Sequence, residues 1–304
     1  MMTKRPELLK KGDKIGIVAT ARKISIEEVG ATIKLLVSWG LVPVIGKSIG
    51  LKKNQFAGSD NERAKDLQSF LDNKEIKAIF CARGGYGTVR IIDLLDFSLF
   101  IQNPKWIIGY SDPTVLLSHI YFNYNIETIH AIMPINITED DFFSNAVISL
   151  KKILFEGENK NYYKKYIMNR KGKAEGELIG GNLSVLYSLL GSNSFGDTKD
   201  KILFIEDLDE YIYHIDRMMQ ALRRAGKLKD LKGLIVGGMT DMHDNFIRFG
   251  KAPHRIIMDT VQDYDFPVAF NIPIGHIKEN NQAYVIGRKT TLTVEKFKVI
   301  IEQE

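Results

Sequence analysis

Four short apolar runs dominate the first part of the chain: Lys14-Ile15-Gly16-Ile17-Val18-Ala19-Thr20, Leu41-Val42-Pro43-Val44-Ile45, Ile76-Lys77-Ala78-Ile79-Phe80-Cys81 and Trp106-Ile107-Ile108-Gly109-Tyr110. Their length and β-branched content fit buried strands better than helices. Between them lie amphipathic stretches with helix-start signals. Ser25-Ile26-Glu27-Glu28 and Ser59-Asp60-Asn61-Glu62 are capping boxes, in which serine and glutamate each satisfy a free N–H at a helix start. The first opens a predicted helix through Ile33, Leu36 and Val37 to Trp39-Gly40, the second one through Ala64, Leu67, Phe70 and Leu71. Thr88 to Leu95 reads as another helix, and Asp112-Pro113 opens one through His119. Alternation of strand and helix over about 120 residues predicts a parallel sheet with helices on both faces. In such sheets, ligands bind beyond the carboxyl ends of the strands.

The pattern changes after Ile148. Between Lys151 and Lys173, eight Lys/Arg stand against two Glu, interleaved with Tyr162, Tyr163 and Tyr166 and without a clear period. This divides the chain into an N-terminal α/β domain over 1–150, a connector over 151–174 and a C-terminal domain over 175–304. A basic run with tyrosines suits nucleic acid, but no helix-turn-helix, zinc-finger or RNP pattern accompanies it, so a solvated connector is expected and no nucleic-acid partner. In the last part, Gly180-Gly181-Asn182-Leu183 suggests a turn that brings Asn182 near a site, with a helix from Leu183 to Leu190. Lys201 to Ile205 and Leu234 to Gly238 are strand-like, Tyr211, Ile215, Met218, Met219 and Leu222 line one helix face, and the C-terminal stretch is β-rich. No apolar run is long enough to span a bilayer, and the basic stretch before the first strand lacks the apolar segment of a secretory signal. The single cysteine, Cys81, leaves no internal disulfide and fits a reducing compartment, so a cytoplasmic location is expected. The net charge of +5 permits anionic ligands without identifying one.

Several residues could carry chemistry. Asp112 suits an N-cap and Pro113 the first helical position, which puts Ser111 in a tight strand-to-helix turn. A serine nucleophile is presented in this way, beside amides that can stabilise an oxyanion. Gly109-Tyr110-Ser111-Asp112 lacks the second glycine of the G-x-S-x-G elbow, so the stretch also fits a small polar turn residue. Arg83-Gly84-Gly85-Tyr86-Gly87 follows the strand ending at Cys81. It matches neither G-x-G-x-x-G nor the Walker pattern, and reads as a second oxyanion donor beside Ser111 or as a turn needing positive φ. His276 closes Asn271-Ile272-Pro273-Ile274-Gly275-His276, before the polar run Lys278-Glu279-Asn280-Asn281. A histidine at a strand exit suits a general base, or a surface cap. Glu206 directly follows an apolar strand. Ser111, Glu206 and His276 stand in the order nucleophile, acid, base, which makes a Ser-His-Glu triad possible across two domains. Asp241, His243 and Asp244 are the best metal candidates but lack a fourth ligand at recognisable spacing, and no metal or cofactor is expected. Cys81 ends an apolar strand, where a small buried residue is the default.

Six motifs in one order carry a resemblance. They are Leu9 to Ala19, Arg83-Gly84-Gly85-Tyr86-Gly87, Gly109-Tyr110-Ser111-Asp112, Gly180-Gly181-Asn182-Leu183, Leu203 to Asp207 with Ile215-Asp216-Arg217-Met218, and Ile272-Pro273-Ile274-Gly275-His276. Together they resemble the LD-carboxypeptidases, a serine peptidase family. The resemblance implies an N-terminal flavodoxin-like parallel-sheet domain, a C-terminal swivelling β-rich α/β domain, and a cleft between them. It implies Ser111 as nucleophile, Glu206 as orienting acid and His276 as base, in a homodimer. The implied reaction is hydrolysis of the L,D-peptide bond that releases the terminal D-alanine of a cytoplasmic murein tetrapeptide during cell-wall recycling. Under this reading the backbone N–H groups of Gly85 and Asp112 form the oxyanion hole, and Asn182 lies at the substrate. Arg83 would pair with the terminal carboxylate, a role its fork geometry suits, or brace the glycine turn. The chain departs from the family where His130-Ala131-Ile132-Met133 stands for His-Gly-Pro-Met and Ala19-Thr20-Ala21 for Ala-Pro-Ser; both bear on substrate preference. Two rivals remain. Microcin-C-resistance peptidases cleave acyl-nucleotide conjugates with an aromatic loop, for which only Tyr162–Tyr166 could serve here, Trp39 and Trp106 lying in predicted helix and strand. A non-catalytic murein-fragment binder is the other.

Overall fold

The computed structural model describes residues 3–277 and 280–304, so Lys278 and Glu279, within the polar run after His276, lie outside the described residues, as do Met1 and Met2. Strands β1 (Lys14–Val18), β2 (Val42–Ile45), β3 (Ile76–Cys81), β4 (Trp106–Gly109) and β5 (Thr128–His130) form a parallel sheet in the order β2-β1-β3-β4-β5. This is the flavodoxin-like order, and its crevice opens at the switch point between β1 and β3. Ile15, Ile17, Ala78 to Cys81 and Trp106 to Ile108 are buried, as strands covered on both faces must be.

The capping boxes behave differently. Ser59 accepts from the Glu62 N–H and Glu62 from the Ser59 N–H, and a helix runs over Asp60–Asp72. The Ser25–Glu28 box also closes, but turns follow it and the helix begins only at Gly30. The helix expected over Thr88–Leu95 is instead two 3₁₀ turns, Thr88–Arg90 and Ile92–Leu94. Its bonds span three residues, from Ile91 N to Thr88 O and Leu95 N to Ile92 O, and the β-branched Val89, Ile91 and Ile92 favour no longer helix.

The second sheet takes β6 (Asn159–Lys164), β7 (Gly172–Asn182), β8 (Ile202–Leu208), β9 (Gly233–Thr240), β10 (Val268–Ala269), and, beyond β11 (Tyr284–Ile286), β12 (Lys289–Val294) and β13 (Lys298–Gln303). Its order is β10-β9-β8-β7-β12-β13-β6. Strand β11 instead joins the first sheet, antiparallel to β5 with Tyr284 opposite His130. The 151–174 segment therefore holds ordered structure: the end of a helix over Asn145–Glu156, then β6 paired with β13. Its period was hidden because the inward residues are polar. Asn159 donates to Gln303 Oε1 at 2.7 Å, and the Tyr163 hydroxyl bonds Gln282 and Tyr284, while Lys160 and Lys164 point outward, as charges on an edge strand do. Among the described residues, no helix is long and apolar enough to cross a membrane.

Arg288, just before β12, reaches Glu127, just before β5, at 2.7 Å, and both are buried. The pair fastens the two sheets together. Arg288→Met should lower stability by about 3–5 kcal/mol, because it strands a buried carboxylate; chemical denaturation measures this, and an unchanged midpoint would show that Arg5, 3.3 Å from the same carboxylate, takes over.

Candidate active site

Ser111 follows β4 with φ of 65°, a left-handed conformation rare for a residue with a side chain. The turn is sharp enough that the Ser111 carbonyl accepts from Thr114 N at 2.8 Å, opening the helix Thr114–Tyr124. Strain of this kind, about 1–2 kcal/mol, persists only where surrounding packing imposes it. Asp112 does not cap its own helix, contrary to its sequence signal. Its buried carboxylate accepts from Gly87 N at 3.2 Å and Thr88 N at 2.9 Å. Burial raises its pKa, outweighing the bonds to Thr88 and Gly87, which lower it. The carboxylate thereby fastens the Arg83–Gly87 loop against the Ser111 turn. A side chain on Gly84 would stand 3.0 Å from Ser111 Cβ and 3.1 Å from Oγ. One on Gly85, whose φ is +106°, would strike Arg22 Cδ at 2.4 Å. The two glycines thus let Ser111 and Arg22 close in on adjacent residues of one loop.

Glu206 lies within β8, which runs on to Leu208 instead of ending at Ile205. It sits at a register irregularity against β9 between Ile205 and Asp207; such bulges re-aim side chains near sites. Its Oε2 accepts from the His276 backbone N–H at 3.1 Å and is 2.6 Å from His276 Nδ1. The close approach requires Gly275: a Cβ there would fall 2.2 Å from Glu206 Cγ. Burial alone would raise the Glu206 pKa, but the neighbouring His276 and His130 hold it down to about 2. For His276 burial acts in the opposite direction to the Glu206 carboxylate, and the carboxylate prevails, raising its pKa above 6.5.

One cavity of about 570 Å³ brings together Ser111, His276, Arg22, Arg83, Gly84, Gly85, Asn182 and Asp207. Glu206 lies beneath it, fully buried. Arg83 is 3.6 Å from Glu28 Oε1 and donates to Lys23 O at 3.3 Å. Asn182 caps the helix Leu183–Ser188 through Val185 N, and its Nδ2 donates to Asp207 Oδ1 at 2.8 Å. Asp207 itself is pushed up to about 7 by burial and by Glu206. Arg22 carried no sequence signal, since nothing local marks an exposed arginine as lining a cleft. His130 stood out only within a motif departure, because its three-residue strand was not legible.

Other candidates are engaged elsewhere. His243 pairs with Asp209, Asp244 accepts from Asn245 N and Phe249 N in its own loop, and among the described residues no three His, Cys, Asp or Glu cluster as a metal site requires. Burial pushes the Cys81 thiol up to about 12, so it is no thiolate. Tyr163 and Tyr166 turn inward, Tyr166 against His254 and Phe270. Of these three tyrosines, only Tyr162 is exposed.

Residues 15–131 match the LD-carboxypeptidase N-terminal domain and residues 175–292 the LD-carboxypeptidase C-terminal domain. The chain is 36% identical over 305 residues to the probable murein peptide carboxypeptidase of Bacillus subtilis (strain 168), covering 97% of this chain and 94% of the relative. Its fold is similar to the crystal structure of muramoyltetrapeptide carboxypeptidase from Oxalobacter formigenes, with a TM-score of 0.86 at 24% identity over 95% of this chain and 98% of that one. It is equally similar to the microcin C7 self-immunity protein MccF in the wild-type apo state, with a TM-score of 0.86 at 22% identity, covering 100% and 99%. At these identities the two solved structures bear on the fold alone.

Proposed function

As the chain belongs to the LD-carboxypeptidase family, we propose that it is a serine carboxypeptidase releasing the terminal D-alanine of murein tetrapeptides, with Ser111 as nucleophile, His276 as base and Glu206 as orienting acid. The observation that carries this is the 2.6 Å contact between Glu206 and His276 Nδ1 at the wall of the cleft that also holds Ser111. With Nδ1–H held by the carboxylate, His276 presents Nε2 unprotonated to the serine hydroxyl. His276 takes the Ser111 proton as Oγ adds to the carbonyl on the L-centre side of the L,D-bond. The oxyanion is met by the backbone N–H groups of Gly85 and Asp112, each such donor being worth roughly 3 kcal/mol. His276 then returns the proton to the departing D-alanine amine, and water repeats the sequence on the acyl-enzyme, restoring Ser111. Arg83, with Arg22 beside it, is the partner for the terminal carboxylate. The murein reading is supported by the name of the Bacillus subtilis relative; a cytoplasmic homodimer acting in cell-wall recycling completes the proposal. The inward turn of Tyr163 and Tyr166 argues against base stacking there, and so against an acyl-nucleotide substrate.

The test is D-alanine release from purified murein tetrapeptide, with an aminoacyl sulfamoyl nucleotide as competing substrate and EDTA in a parallel reaction. Release unaffected by EDTA is expected; cleavage of the nucleotide alone would overturn the substrate. The pH profile is a further prediction. Protonated His276 cannot accept the serine proton, and its pKa is raised. Hence kcat/KM should fall on acidification with a midpoint displaced upward from the ordinary histidine range, and an activity with no acid limb at all would remove His276 from the role of base.

A further inference from the structure

We propose that His130 is a positioning residue for Glu206, its Nε2 side serving the carboxylate oxygen that His276 leaves free. The inference rests on the triad reading above. His130 ends β5, between Gly109 of β4 and Tyr284 of β11. Its ring is fully buried and wedged against Phe204 at 4.9 Å and Tyr110 at 5.8 Å between ring centres. Neither of its ring nitrogens has a hydrogen-bond partner among the described residues, and neither does Glu206 Oε1. These orphans face each other, with Nε2 3.9 Å from Oε1. That is ion-pair range and longer than a hydrogen bond. Buried polar atoms without partners are rare, and a ring nitrogen 3.9 Å from an unpartnered oxygen of the orienting carboxylate has an evident use.

The need comes from keeping a buried carboxylate ionised in the resting enzyme, for which an N–H donor serves. Glu206 must be ionised to orient His276, yet it is fully buried, where an isolated carboxylate is strongly disfavoured. His276 must begin neutral to accept a proton, so it cannot also supply the resting counter-charge. Asp207 and Tyr110, the other titratable groups nearby, add negative charge or none. His130 presents an N–H to Oε1 whether as the Nε2–H tautomer or as imidazolium. It thereby leaves Oε2 to His276 and fixes the carboxylate's rotation. The low pKa of Glu206, to which His130 contributes, agrees with this geometry.

The experiment compares His130→Phe, which keeps a ring and removes both nitrogens, with His130→Gln, whose amide N–H stands near the Nε2 position. Two readouts are taken: kcat and KM for D-alanine release, and the rate at which a fluorophosphonate probe labels Ser111. The Phe variant should lose about 10- to 100-fold in kcat, the size of loss that follows removal of the hydrogen-bonded partners that orient metal ligands, with KM unchanged and labelling slowed in parallel. The Gln variant should recover most of the loss. Wild-type kcat in the Phe variant, or equal loss in both variants at unchanged thermal midpoint, would overturn the inference. Should the Phe variant fail to fold, an inactive but folded Gln variant overturns it and an active one upholds it. Failure of the underlying reading looks different: Glu206→Gln, run alongside, would then label and turn over at the wild-type rate. If wild type labels but releases no D-alanine, the substrate alone is wrong and the labelling series still decides the role of His130.

Discussion

Ser111→Ala should abolish D-alanine release, lowering kcat by about 10⁶-fold, the loss that deletion of a serine nucleophile brings. The fold should survive, because alanine keeps the Cβ that packs against Gly84 and bears the same left-handed strain as serine. The residual rate would come from binding and from the backbone donors around the turn. Release at the wild-type rate with an intact thermal midpoint would mean that another group attacks the carbonyl.

Glu206→Gln comes next, with an expected loss of about 10³- to 10⁴-fold in kcat. The amide can turn its NH₂ toward His276 Nδ1 and stabilise the wrong tautomer, leaving Nε2 protonated and unable to take the serine proton. Two pH signatures accompany this loss. The carboxylate is what raises the His276 pKa, so the acid limb of the remaining activity should move to lower pH. In stability the sign is set by the depressed Glu206 pKa, about 2 against 4.5 when unfolded. Its contribution is present above 4.5 and is lost as pH falls toward 2, so the Gln variant should lack that acid-side loss. Kinetics across pH and acid unfolding measure the two. Wild-type kcat in the variant would take the orienting role away from Glu206.

Legibility differed between parts of the fold for identifiable reasons. Strands β1, β3 and β4 could be read because both faces are covered, which demands near-continuous apolar runs. Strand β6 could not, since its inward residues Asn159, Asn161 and Tyr163 bury as a hydrogen-bonded polar set. Strand β5, three residues long, is too short to show a period. The Ser59 box predicted a helix start because both of its partners lie within one turn. Asp112 carries an equally good local signal, but Gly87 and Thr88, remote in sequence and adjacent in space, took its carboxylate.

The candidate site divides along the same line. The alternating α/β class, the motifs of the family and the marking of Ser111, Glu206 and His276 as strand-exit residues were legible in the chain, because those features depend on local burial and turn chemistry. Packing between distant segments is what sets Glu206 inside its strand at a bulge, brings its Oε2 to His276 across a gap that Gly275 leaves open, and puts His130 and Arg22 beside the site. The reason is physical: periodicity reports which side of a segment is buried, whereas the choice of a partner for a buried charge or donor is made between segments far apart in the chain.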